Sequence, residues 1–136
     1  MNAKASIPFG AALLAATLQA GAATLPAAQT QNGVAYLTGG IGEEEAAAMR
    51  AEARHYPVSM LFTAGKDNAF LADVKVTVTS KAGKELLTTA AGPFLLVNVP
   101  SGTYTVTAER NSKVLHRTVH VGKTGEKQIV FHWPQT

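Results

Sequence analysis

The sequence contains no cysteine among its 136 residues. It therefore has no disulfide framework, no thiolate metal site and no cysteine nucleophile. Charge is also scarce, because 12 Lys and Arg stand against 9 Asp and Glu, which gives a formal net charge of +3. This balance is too weak and too mixed to indicate nucleic-acid binding. At this length we expect one folded domain.

The first 22 residues have the pattern of a secretory signal peptide. Lys4 supplies a positive charge, residues 7–18 are apolar, and Ala20-Gly21-Ala22 is a small-residue cleavage site. The apolar run is shorter than the roughly 20 residues that a membrane-spanning helix needs. We therefore expect an exported protein, periplasmic or alternatively secreted, with no transmembrane segment in the mature chain.

The next part of the sequence predicts a lead, a short strand and a helix. Residues 23–33 are small and polar without periodicity, which is typical of a flexible lead. Residues 34–57 predict a short strand and then a helix from Glu43 to Tyr56, which Pro57 ends. The apolar positions of this helix recur at spacings of three and four and form one narrow stripe: Ala46, Met49, Ala53 and Tyr56.

A glycine-rich run precedes the helix and invites comparison with phosphate-binding loops. It lacks the Gly-Lys-Ser/Thr ending of such a loop, and Glu43, Glu44 and Glu45 would repel an anion at the helix start. These carboxylates suit the positive end of the helix dipole. We interpret the run as a tight turn into the helix.

Strand patterns fill residues 58–134, which we assign to a β-sandwich domain. Turn signals such as Gly83 and Pro100-Ser101-Gly102 separate apolar or alternating segments. Tyr104, Val106 and Ala108 alternate with threonines and should face the core. About seven strands at a spacing of roughly 8–12 residues predict an antiparallel β-sandwich, with the helix packed on it.

Two motifs carry a resemblance to a known family. Gly92-Pro93-Phe94 and the segment Val99-Pro100-Ser101-Gly102-Thr103-Tyr104-Thr105-Val106 resemble the G-x-F and L-P-x-G-x-Y-x-V patterns of the carboxypeptidase regulatory-like domain. Val99 replaces the usual Leu. The resemblance spans residues 58–133 and implies a transthyretin-like (prealbumin-like) sandwich, but this accessory module transfers no activity. The glycine-rich lead also resembles the front end of small exported bacterial proteins that carry this sandwich.

The sequence contains no recognisable catalytic constellation. It has neither the Gly-x-Ser-x-Gly nor the His-Glu-x-x-His pattern. A transthyretin-related branch that hydrolyses a purine catabolite ends in Tyr-Arg-Gly-Ser, whereas this chain ends His132-Trp133-Pro134-Gln135-Thr136. We therefore expect neither enzymatic activity nor a cofactor.

The histidines are the candidates for metal binding. His116 and His120 share one face of a predicted strand but lie about 13 Å apart, at roughly 3.3 Å per residue. They cannot bind one ion together, and a metal site would need His116 or His120 to meet His132 or a carboxylate on a neighbouring strand. We assign no metal site and regard solvent-facing histidines as the simpler interpretation.

Two functions remain open. The first is a non-enzymatic exported interaction module that binds an envelope protein or a glycan through a sheet edge or loops. Its candidate contacts are the acidic helix start and the basic C-terminal strands: Glu43, Glu44, Glu45, Arg110, Lys113 and Arg117. The alternative is a small-ligand or metal binder that uses the basic C-terminal strands with His116 and His120.

Overall fold

The computed structural model describes residues 24–135, and the predicted signal peptide at 1–22 lies outside them. The described chain is mainly β, as predicted, and forms two stacked sheets with one helix packed on them. The elements in chain order are β1 Gln29–Gln31, β2 Val34–Gly39, α1 Glu43–Ala53, β3 Val58–Ala64, β4 Ala69–Phe70, β5 Val74–Ser80, β6 Glu85–Ala91, β7 Phe94–Asn98, β8 Gly102–Arg110, β9 Lys113–Val121 and β10 Lys127–Trp133. Between residues 24 and 135 no helix is long and apolar enough to cross a bilayer.

The first sheet has the order β1-β2-β7-β3-β10, with β4 paired to β3, and the second has the order β6-β5-β8-β9. The turn predicted at Gly83 is a hairpin of the second sheet, and β8 and β9 form another. Gly83 has a φ of 91° in the β5–β6 turn. Asn111 and Ser112 have φ values of 50° and 64° in the β8–β9 turn, as a two-residue type I′ hairpin requires.

The core lies between the two sheets and is built by strand alternation. Tyr104, Val106 and Ala108 are buried, whereas Thr105 between them is exposed, so the predicted faces of β8 are correct. In the first sheet, Phe62 stacks on Phe131 with 5.5 Å between the ring centroids. This pair joins β3 to β10 inside the core.

The last strand differs from the expected antiparallel arrangement. β10 pairs in parallel with β3, from Lys127 opposite Val58 to Trp133 opposite Ala64. The connection after β9 crosses from the second sheet to the first, so it is not a hairpin. The alternation of residues along a strand is the same for either direction of its neighbour, which is why the sequence pattern could not reveal this pairing.

The sandwich also begins earlier in the chain than residue 58. β2 lies inside the first sheet between β1 and β7, and β1 belongs to segment 23–33, where the sequence predicts a flexible lead. Asn32 and Gly33 have φ values of 51° and 77° and form the turn between β1 and β2. Asn-Gly is a strong hairpin signal, but the short polar strand before it shows no apolar periodicity.

The helix packs on the outer face of the first sheet. Ala46, Met49 and Ala53 are buried against Leu37, Phe94 and Leu96, which confirms that the predicted stripe faces the sheet. α1 ends at Ala53 rather than Tyr56. Pro57 has no N–H to bond to the Ala53 carbonyl, and the N–H of Tyr56 donates to that oxygen instead at 3.1 Å.

Side chains close both open sides of the sandwich. On one side the Gln31 amide donates to Thr88 O at 3.1 Å and accepts from Thr88 N at 2.8 Å. On the other side Arg117 donates to Val130 O, and Trp133 Nε1 donates to Lys113 O, each at 3.1 Å. These groups occupy backbone positions of β6, β9 and β10 that an added strand would otherwise use.

Candidate functional site

A groove runs beside α1 on the outer face of the first sheet. The helix covers β2 and β7 but leaves the outer side of β3 and β10 open. The resulting cavity has a volume of about 240 Å³. Its walls include Arg50 and Ala53 of the helix, Leu61 and Phe94 of the sheet and Val130 of β10. We call this surface, together with the adjoining Phe70, the helix groove.

Arg50 lies over two aromatic rings at one end of the helix groove. Its guanidinium carbon is 5.7 Å from the ring centroid of Phe70 and 5.5 Å from that of Phe94. The two rings meet edge to face, with 5.6 Å between their centroids. These distances fit cation–π contacts, which orient the guanidinium while its edge stays available for a hydrogen bond.

The helix groove also exposes apolar side chains. Phe70 is 42% exposed and Val130 is 48% exposed. A second depression, about 620 Å³ in volume, extends from Arg50 and Phe70 towards Gly40 and Gly42, with the exposed Ile41 between these glycines. Exposed apolar side chains beside a charged group are typical of interaction surfaces.

The glycine run before α1 forms the turn that the sequence predicts. Gly40 has a φ of 110°, and a Cβ there would lie 2.4 Å from Phe94 Cδ2. Both Gly40 N and Ile41 N donate to Glu45 Oε1, at 2.7 and 3.3 Å. Glu45 therefore closes this loop, while Glu43 borders the second depression and Glu44 is exposed.

The basic candidates lie together along the side of the sandwich formed by β9 and β10. Arg110 donates to Gln135 O at 3.2 Å, and Lys113 donates to the Gln135 side-chain oxygen. The Arg117 guanidinium carbon lies 5.6 Å from the Phe131 ring centroid. Arg110 and Lys113 therefore bind Gln135 to the sandwich, and Arg117 binds β10 to β9.

The structure does not bring the three candidate histidines together. His116 and His120 lie on the outer face of the second sheet, where their Nδ1 atoms are 3.4 Å from Thr107 Oγ1 and 3.1 Å from Thr103 Oγ1. His132 lies on the outer face of the first sheet, with Nδ1 2.9 Å from a threonine hydroxyl of β3. Among residues 24–135 no group of three or more His, Asp or Glu could hold a metal ion.

Two tyrosines have shifted acidity. Burial raises the pKa of the Tyr56 hydroxyl, and the nearby Glu52 carboxylate raises it further. Burial also raises the pKa of Tyr104. Both hydroxyls therefore stay protonated near neutral pH, and that of Tyr104 donates a hydrogen bond to Pro100 O at 2.6 Å.

Sequence reasoning missed the residues that build the helix groove. No sequence pattern singles out Arg50, Phe70 or Val130 as site residues. Arg50 follows the buried Met49 directly and lies four residues after Ala46, so it borders the apolar stripe. The position of Arg50 beside the apolar stripe could have indicated a role on this face of the helix. Its aromatic partners Phe70 and Phe94, by contrast, come from distant parts of the chain.

No family model matches the chain, and a search of curated proteins finds no relative.

Proposed function

We propose that the protein is a non-enzymatic, exported interaction module whose helix groove binds a partner protein of the cell envelope. The observation that carries this proposal is the exposed apolar surface around Arg50. Aromatic residues and Arg are enriched at the energetic centre of protein interfaces. Here Arg50, Phe70 and Val130 supply a cation and apolar surface on one rigid scaffold.

The chemistry of the groove indicates the kind of segment it would accept. Its walls favour apolar side chains, and Arg50 would pair with a carboxylate of the partner. Side chains already bond to the backbone of β6 and β10 at the open sides of the sandwich. The addition of a partner strand there is therefore less favourable than binding in the helix groove. We therefore propose an amphipathic segment with an acidic residue rather than a β-strand or a neutral glycan.

The fold supports the proposed membership of the carboxypeptidase regulatory-like group. The residues that carry the resemblance have structural roles in the sandwich. A Cβ at Gly92 would lie 3.2 Å from Gly39 Cα, and Phe94 packs beneath Arg50. Tyr104 donates its hydroxyl hydrogen to Pro100 O at 2.6 Å, which closes the β7–β8 turn. The residues that carry the resemblance therefore stabilise the fold, and we propose that partner recognition depends on the helix groove.

A matched pair of variants tests the groove. Phe70→Glu places a charge in the groove, and Val114→Glu places the same charge on β9, where Val114 is 43% exposed. With immobilised protein and an envelope extract, we expect Phe70→Glu to lower partner capture by about tenfold or more, because central aromatic residues dominate interface free energies. Val114→Glu should capture normally.

The melting temperature of both variants shows whether each remains folded. Equal capture by Phe70→Glu and the unchanged protein would contradict the proposal, as would equal loss in both variants.

The proposed export of the protein leads to a separate prediction about its N-terminus. We expect the protein recovered from the envelope fraction to lack about 22 residues, because the charged, apolar and small-residue regions occur in order. Mass spectrometry of the intact protein measures the N-terminus directly. A chain that still begins at Met1 or Asn2 would show that the leader is retained.

A further inference from the structure

Three turns meet at one end of the sandwich and border an open polar cleft. They are residues 54–57 after α1, residues 98–101 from the last residue of β7 to the start of β8, and residues 122–125 between β9 and β10. The cleft has a volume of about 470 Å³, within the range of small-molecule sites. We call it the end cleft, and it shares no lining residue with the helix groove.

The residues that line the end cleft are basic or neutral, and the Glu52 carboxylate lies near one of them, Tyr56. Arg54 and Lys123 bring positive charge from two different turns, and His55 lies beside Arg54. Asn98, Ser101 and Thr124 add neutral polar groups, and no Asp or Glu is among the residues that line the cleft. A guanidinium and an ammonium side chain among the lining residues favour an anion with oxygen atoms as acceptors.

A hydrogen bond ties two of the turns to each other, and another restrains the third turn internally. Lys127 N donates to Pro57 O at 2.8 Å and ties the β9–β10 turn to the turn after α1. The hydrogen bond from the Tyr104 hydroxyl to Pro100 O at 2.6 Å closes the third turn. Arg54 Nε donates to Ala51 O at 3.3 Å, which restrains the guanidinium. A site of this kind loses little conformational entropy on binding.

The β9–β10 turn leaves room for a ligand near its backbone. Gly125 has a φ of 87°, and a Cβ built there would meet no atom within 4 Å. A Cβ at Gly122 would touch only Thr124 O, at an ordinary 3.6 Å. The backbone on both sides of Lys123 is therefore open, as in loops that approach anions closely.

We propose that the end cleft is a binding site for a small ligand with a carboxylate or phosphate group, held by Arg54 and Lys123. This proposal is independent of the helix groove. It places ligand binding at the turns rather than at the histidines of β9. The site recognises the charge of the ligand, so a neutral ligand of the same shape should not bind.

Titration of the full exported chain, monitored by amide NMR shifts, tests the proposal. The probes are inorganic phosphate, glucuronate and, as a neutral control, glucose. We expect saturable shifts in the three turns with phosphate, with glucuronate or with both, and the probe that saturates identifies the phosphate or carboxylate class. We expect no saturable shift with glucose. Saturation with glucose equal to that with glucuronate would overturn the role of charge.

A charge-matched control separates the site from the general charge of the protein. Arg54→Gln with Lys123→Gln should raise the Kd by about tenfold or more, since charge-assisted hydrogen bonds are lost. Lys81→Gln with Lys84→Gln removes the same charge from the exposed β5–β6 turn and should leave the Kd within about twofold. An equal loss in both double variants, or the absence of saturable shifts with both anions, would overturn the proposal.

Discussion

Met49→Asp should lower the melting temperature of the entire domain. Met49 is 0% exposed and packs with Leu37, Phe94 and Leu96 between α1 and the first sheet. Loss of a buried Met side chain costs about 2–5 kcal/mol, and an unpaired buried carboxylate adds to this cost. We expect the free energy of unfolding to fall by about 4 kcal/mol or more.

The measurement is thermal unfolding followed by far-UV circular dichroism and by the fluorescence of Trp133, the one Trp of the sequence. Both signals should shift together because β2, which precedes the helix, lies inside the first sheet. Ala47→Asp is the control, since Ala47 is exposed on the same helix. If Met49→Asp removes helical signal but leaves the Trp133 transition unchanged, α1 is not part of the cooperative unit.

Tyr104→Ala should cost far more stability than Thr105→Ala, although the residues are adjacent. Tyr104 is buried and its hydroxyl bonds to Pro100 O, whereas Thr105 is exposed on the outer face of β8. Truncation of a buried aromatic costs about 3–5 kcal/mol, and surface changes usually stay within about 0.5 kcal/mol. Denaturant midpoints at constant slope measure the difference.

Tyr104→Phe separates packing from the hydrogen bond in the same experiment. It should lose only about 1 kcal/mol, the typical net value of one hydrogen bond. Equal losses for Tyr104→Ala and Thr105→Ala would mean that the side chain of Tyr104 does not pack in the core.

The parts of the fold that depend on local chemistry were predictable from the sequence. The alternation in β8 identified its buried face, and Gly83 marked a hairpin through its positive φ. The spacing of Ala46 and Met49 likewise identified the face of α1. In each case the signal lies within a few residues of the structure that it determines.

The parallel pairing of β10 and the helix groove depend on distant residues. β10 pairs with β3 although about 60–70 residues of sequence separate them. The local sequence of neither strand identifies the other as its neighbour. Arg50, Phe70 and Val130 likewise come together only when α1, β4 and β10 are in place. Periodicity and turn signals describe each of these elements but not their neighbours.

The Gln31 side chain has a consequence for the assembly state of the protein. Its amide satisfies the N–H and C=O of Thr88 as the backbone of an extra strand would. A chain shortened to begin at Val34, or cut by a protease near Gly33, would present β6 as an unprotected edge. We expect such a fragment to associate edge to edge more readily than the longer chain, because the Gln31 amide would no longer bond to Thr88.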